Sequence, residues 1–224
     1  MNELFLYRHM MVPLNMAPAP ILIVLFFFSV VLHEVAHGYT ALKCGDPTAQ
    51  LSGRLTLNPL PHVDVLGTII VPLLMYTMGG FVIGWAKPVP VNPYNFKNLR
   101  EGTLKVGASG PLTNFILAVI FAVVVWIFNI LNLPSTNFGL TMTALFAGGV
   151  TVNLILGLFN LVPVPPLDGS RIVSTLLPPE AAEKYERIEP YGILIVFLLL
   201  SLIWPLIIGI GNLIYRVLFW GLPL

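Results

Sequence analysis

Charge is what this sequence has least of. Of its 224 residues, 9% are Asp, Glu, Lys or Arg and 57% are hydrophobic, with a mean hydropathy of +0.89. A soluble domain carries about 25% charged residues, so a water-facing surface cannot be built from this set. The formal balance is only +1, and the few lysines and arginines fall in short loops rather than along a stripe. Nucleic acid is thereby excluded as a partner. A single cysteine, Cys44, rules out an intrachain disulfide framework and a thiolate metal cluster within one chain. A cleavable leader pattern is also missing. Residues 1–16 are mixed, with Glu3 and Arg8, and the apolar run that follows is longer than a signal core of 7–15 residues, so it is expected to stay in the mature protein.

Long hydrophobic runs are abundant instead. Stretches near the roughly 20 residues needed to cross a bilayer lie at about 18–42, 64–85, 107–131, 140–163 and 190–218. The fold expected is an all-α multi-pass membrane protein of about five to six hydrophobic segments. The last run contains Pro205 and reads as one kinked helix or a tight hairpin. The run 64–85 contains Gly79-Gly80, which would allow it to break and re-enter rather than cross. The stretch LSGRLTLNP at 51–59 partly alternates and predicts a short β-like element after the first helix. Lys87, Lys97, Arg100 and Lys105 outnumber Glu101 between residues 86 and 105, placing that segment on the cytoplasmic side. Residues 1–17 read as an N-terminal segment, 18–176 as a catalytic membrane core, and 177–224 as a linker with a C-terminal membrane segment.

The first run is interrupted by LHEVAH, which places His33, Glu34 and His37 in the pattern HExxH. Residues four apart share a helix face, so both imidazoles can reach one ion, and Glu34 beside them can take a proton from water. Two histidines and a carboxylate are costly in hydrocarbon and mark a functional site. A catalytic zinc needs a third protein ligand and one open position. The candidates are His9, His62, Asp64 and Asp168. Asp168 is preferred because Pro163, Pro165 and Pro166 must open the helix just before it, and irregular backbone at membrane depth is tolerated where it lines a polar site. His62 stands as its rival. The lesser reading of Asp168 is as a cap for a short helix, a role that can coexist with ligation.

HEVAH in a span, GPLTN at 110–114 and NLVPVPPLDG at 160–169 together resemble the site-2 protease family of intramembrane zinc metalloproteases, peptidase family M50. The resemblance covers about residues 20–175 and is to a minimal form without an accessory domain. It implies a zinc-dependent endopeptidase with one Zn²⁺ per chain, held by His33, His37 and Asp168, with Glu34 as catalytic base. It further implies a membrane-protein substrate with a transmembrane segment, a lipid-bilayer setting and a prokaryotic cell membrane; the oligomeric state is left open. Both ligand-bearing segments must then deliver their ligands to one ion. A full crossing by 64–85 would set the ends of 18–42 and 140–163 on opposite faces.

Asn114 is a candidate for supporting the scissile carbonyl or developing oxyanion, or else for an interhelical hydrogen bond. His62, Asp64 and Asn160 are candidates for supporting the ligands or for purely structural roles, and Asn153 flanks the approach to the proline run. Arg54 and Arg171 are expected to reach headgroups or carboxylates, and Trp126, Trp204 and Trp220 to face lipid or the interface. Other readings fit less well. A hydrolase completing HExxH with a later glutamate has only Glu101 and the 180–189 cluster to draw on, and a transporter should show paired broken helices where only one broken segment is found.

Overall fold

The computed structural model describes residues 19–77 and 84–220. Its regular elements are helical: α1 (Ala19–Cys44), the single turn α2 (Thr48–Leu51), α3 (Val71–Thr77), α4 (Leu99–Ile130), α5 (Asn137–Asn160), α6 (Asp168–Leu176), α7 (Pro179–Glu186) and α8 (Gly192–Leu218). A π-helical stretch, Val65–Ile70, leads into α3. Four stretches are long and apolar enough to cross a membrane: Pro20–Cys44, Leu99–Ile130, Asn137–Asn160 and Pro179–Leu218. The chain is a multi-pass helical membrane protein.

Helix α4 is the axis of the structure. Its 32 residues rise about 48 Å at 1.5 Å each, more than the roughly 30 Å hydrocarbon core, so its first turns, with Arg100, Glu101 and Lys105, project beyond the apolar layer. Asn98 caps the start by accepting the Glu101 N–H at 3.1 Å. Helix α4 packs against α5, α1 and α6, while α8 packs on α5. Ala118, Ala122 and Val125 of α4 meet Ala147, Val150 and Leu154 of α5 and Ile208 and Tyr215 of α8. Small side chains let helix backbones approach closely, which is what drives association where lipid is as apolar as leucine. Pro205 lies inside α8 without dividing it, so the last run is one helix rather than a hairpin.

The two ends of the run 64–85 lie side by side. The Trp85 N–H donates to the Gly67 carbonyl at 3.0 Å, and the Thr68 hydroxyl donates to the Trp85 carbonyl at 2.9 Å. The chain thus comes back beside the point where it left. Gly79-Gly80, the expected break, lies outside the described residues. The two ligand-bearing segments do meet: His37 Nε2 of α1 lies 3.1 Å from Asp168 Oδ2, beyond the end of α5.

The β-like stretch expected at 51–59 is absent, and no strand occurs among the described residues. Three local forces outweigh the alternation. Gly53 takes a left-handed φ of 65°, Asn58 closes a turn by accepting the Leu60 N–H at 3.1 Å, and Pro59 and Pro61 remove donors a ladder would need. A strip without regular secondary structure runs through residues 84–92, after the excursion. It is anchored by the Lys87 N–H to the His62 carbonyl at 2.9 Å and by Arg54 Nη2 to the Lys87 carbonyl at 2.7 Å. Arg54 is therefore buried against backbone rather than reaching headgroups. Trp126 likewise is tied inward, donating to the Leu218 carbonyl at 2.8 Å.

Candidate metal centre

Helix α1 brings His33 and His37 onto one face, and α6 begins with Asp168 opposite them. The Nε2 atoms of the two histidines lie 3.0 Å apart, and Asp168 Oδ2 is 3.2 Å from His33 Nε2 and 3.1 Å from His37 Nε2. All three residues are buried. Among the described residues they form a group of ligand atoms mutually within 4.8 Å, able to coordinate a metal ion.

The other ring nitrogen decides what each Nε2 can do. His37 Nδ1 lies 2.8 Å from the Val106 carbonyl. A carbonyl only accepts, so Nδ1 carries the hydrogen and Nε2 keeps its lone pair. His33 Nδ1 lies 2.7 Å from Asn114 Oδ1, which does the same for His33. Two lone pairs and a carboxylate oxygen crowded together repel one another unless a cation or a proton lies between them. This donor set, two imidazoles and a carboxylate, fits a zinc ion.

Asp168 arrives here because α5 stops at Asn160 and the proline run stays irregular until α6 starts. Gly107 and Gly110 of α4 admit the neighbours. A β-carbon at Gly110 would lie 2.5 Å from His37 Nε2 and 2.6 Å from His33 Nε2. The α4 backbone therefore walls the ligand nitrogens on that side and leaves no room for even a methyl group.

Glu34, beside His33, is half-buried, and its Oε2 accepts the Val89 N–H at 2.8 Å. Val89 lies between Pro88 and Pro90; prolines have no N–H and hold the chain extended, so Val89 offers the only backbone donor among the three. Gly38 lets the strip settle on α1, since a β-carbon there would lie 2.8 Å from Val89 Cγ1. The proline spacing was the available signal for this contact, but nothing local names its target.

The remaining candidates are dispersed. Asn114 is fully buried and spends its amide on His33 and Asn153, at 2.7 and 3.0 Å. His62 is buried elsewhere, with Nε2 3.0 Å from the Thr56 carbonyl. Asp64 caps the π-helical stretch by accepting the Gly67 N–H at 2.8 Å. Asn160 bonds back to the Leu156 carbonyl of its own helix at 2.9 Å. His9 lies outside the described residues. Asp46, which composition did not single out, bridges the end of α1 to the strip: it accepts from Asn92 N at 2.7 Å and Asn95 Nδ2 at 2.8 Å, and from Thr48. Burial opposes its charge, but these bonds outweigh that and hold its carboxyl below the usual range.

A cleft of about 810 Å³ opens between the start of α4, α6 and α7, with Arg100, Arg171, Glu183, Glu186 and Glu189 at its walls. It reaches inward to Val106, whose carbonyl holds His37, and Ser170, two residues past Asp168.

The sequence pattern of peptidase family M50 matches residues 21–138 and 127–203. YwhC of Bacillus subtilis, whose name classes it among the zinc metalloproteases, is 40% identical over 215 residues, covering 89% of this chain and 90% of YwhC. Zinc metalloprotease MJ0392 of Methanocaldococcus jannaschii is 31% identical over 157 residues, 70% of this chain but 34% of its own length. Rip2 of Mycolicibacterium smegmatis, named in the same class, is 29% identical over 179 residues, 78% of this chain and 64% of Rip2. No solved structure matches at a significant level.

Proposed function

The chain belongs to peptidase family M50 as a metalloendopeptidase of the site-2 protease type, and from that premise we propose that His33, His37 and Asp168 hold one zinc ion and that Glu34 is the catalytic base. The observation that carries this is the convergence of the three buried ligand atoms from α1 and α6. Residues 18–176 form the catalytic core and 177–224 a linker with the last span.

When bound, zinc supplies Lewis-acid polarisation of the scissile carbonyl and lowers the pKa of water. The chain supplies the rest. Val106 and Asn114 keep both imidazoles in the tautomer whose Nε2 faces the cluster. Glu34 takes the proton from the attacking water and passes it to the leaving amine. The Val89 N–H holds one carboxylate oxygen of Glu34 and leaves the other for that proton. The Gly110 wall leaves the side away from α4 for substrate. The cleft ending near Val106 and Ser170 supports a water route from the end of the protein where α4 begins. The substrate is a membrane protein's transmembrane segment, cleaved within it or close beside it, in a prokaryotic cell membrane.

The ligand set is tested by zinc content of purified variants. Asp168→Ala and His37→Ala are expected to lose zinc, and His62→Ala to keep one ion per chain. Zinc retained by Asp168→Ala but lost from His62→Ala would replace one ligand by the other.

A further inference from the structure

The two histidines are held by different means. His37 leans on a backbone carbonyl, which cannot turn round. His33 leans on a side-chain amide, and an amide can flip and present its NH₂ instead. Something must hold Asn114 in the orientation that keeps Oδ1 toward the ring.

The answer lies two helices away and starts from backbone carbonyls. The Ser29 hydroxyl donates to the Leu25 carbonyl at 2.9 Å, leaving its oxygen free to accept. Asn153 Nδ2 donates to the Gly149 carbonyl at 2.9 Å and to Ser29 Oγ at 3.0 Å. A carbonyl accepts only, so this end of the Asn153 amide must be its NH₂. Its Oδ1 consequently faces α4, where it accepts from Asn114 Nδ2 at 3.0 Å. That leaves Asn114 Oδ1 toward His33 Nδ1 at 2.7 Å. Each assignment follows from the one before. Ser29, Asn114 and Asn153 are all 0% exposed, so water cannot substitute for a broken link, and a buried amide facing the wrong partner is costly.

We infer that Asn153, on α5, is a positioning residue of the metal centre: it sets the direction of the Asn114 amide and so holds His33 with Nδ1 protonated and Nε2 aimed at the cluster. The inference rests on the reading of His33 as a zinc ligand. Fixing α5 to α1 would need only the Ser29–Asn153 bond; the continuation through Asn114 ends on a ligand's own ring. Outer partners of this kind typically tune metal affinity roughly 10–100-fold.

The test uses the full chain in detergent micelles. Zinc affinity is measured by competition with a chromogenic chelator. The His33 tautomer is read from nitrogen-15 spectra of the metal-free protein at a pH where imidazole is neutral. Asn153→Leu is expected to weaken zinc binding roughly 10–100-fold and to mix the His33 tautomers while leaving His37 unchanged. Asn153→Asp, as the neutral acid, keeps the oxygen that Asn114 donates to and an O–H for the Gly149 carbonyl, and at a pH low enough to hold it protonated should return affinity to within a few-fold of the parent. Ser29→Ala should cost less than Asn153→Leu. Where the leucine variant does not fold, Asn153→Gln, which keeps an amide but displaces it by one methylene, is expected to show the same tautomer mixing. A parent chain that binds no zinc overturns the ligand reading and this inference with it. A parent that binds zinc, with affinity and His33 tautomer unchanged in a folded Asn153 variant whose thermal stability alone has dropped, overturns the inference and leaves the ligand reading standing.

Discussion

Helices α5 and α8 are both apolar spans, yet they solve opposite problems. The stretch containing α8 is the most apolar of the four, and only 11% of its most apolar window is buried in the protein; for α5, less apolar, the share is 61%. Helix α5 buries Gly139, Ala144, Ala147, Gly148, Gly149, Thr151, Asn153 and Gly157. Helix α8 turns Leu194, Leu198, Leu202, Leu206 and Leu213 outward. In water the most hydrophobic helix would be the most buried. In lipid the large aliphatic side chains face the solvent, which is hydrocarbon, and the interior goes to small residues that permit close approach and to polar residues that bond across helices. Helix α5 can bury the polar Asn153 among small neighbours for that reason.

The same substitution, made beside the candidate ligands on α4, against which α5 packs, and on α8, separates interior from lipid face most sharply. Gly110→Ala drives a methyl group to within 2.5 Å of ligand atoms, and it is expected to weaken zinc binding by more than about 100-fold and to abolish cleavage, as metal analysis and a peptide assay will report. At Gly209 of α8 a β-carbon would meet nothing within 4 Å, and that variant is taken up last.

Next in size is Val89→Pro, which removes the N–H that Glu34 accepts. Turnover is expected to fall roughly 10–100-fold from misplacement of the carboxylate, with zinc content unchanged. Val89→Ala, which keeps the N–H, should stay close to the parent in kcat, so the pair distinguishes the donor from the side chain.

Asp46→Ala acts at the rim of the centre rather than in it. It removes several hydrogen bonds to a carboxylate and should cost about 2 kcal/mol of stability, measured by thermal unfolding in micelles. Because the folded protein lowers this group's pKa, its contribution is complete at neutral pH, above the ordinary carboxylate value. It should fade as pH falls through the lowered one. The unfolding midpoint of the parent should therefore decline in acid more steeply than that of Asp46→Ala.

The smallest effect belongs to α8. Gly209→Ala is expected to leave zinc content and turnover within about twofold of the parent and to change stability by no more than the roughly 1 kcal/mol of helix propensity, in the favourable direction. A large loss there would mean that α8 shares in the site and would erase the contrast with α5.

The three residues that cluster were legible as candidates in the sequence because their signals are local. HExxH needs only helical periodicity, and Asp168 is marked by the prolines that precede it. The all-helical, multi-pass character followed from run length, whereas at 64–85 length alone cannot tell a crossing from an excursion that returns. The β-like reading of 51–59 failed because alternation is a weak signal against Gly53, Asn58 and two prolines. What stayed hidden is long-range. Asn114 reads equally as oxyanion support or as a tie between helices until the crossing of α4 over α1 places it behind His33. Likewise Val89 acquires its partner only when the returning strip is laid along α1, and Asn153 joins the centre through two helices that no spacing rule connects.

The most direct test of the account is cleavage of a membrane-spanning peptide by the purified chain in lipid vesicles, comparing the parent, the parent with a chelator, and Glu34→Gln, with zinc measured in each. The account predicts cleavage by the parent, loss of cleavage with the chelator and recovery on adding zinc back, and no cleavage by Glu34→Gln despite one zinc per chain. Cleavage that persists in zinc-loaded Glu34→Gln would contradict it.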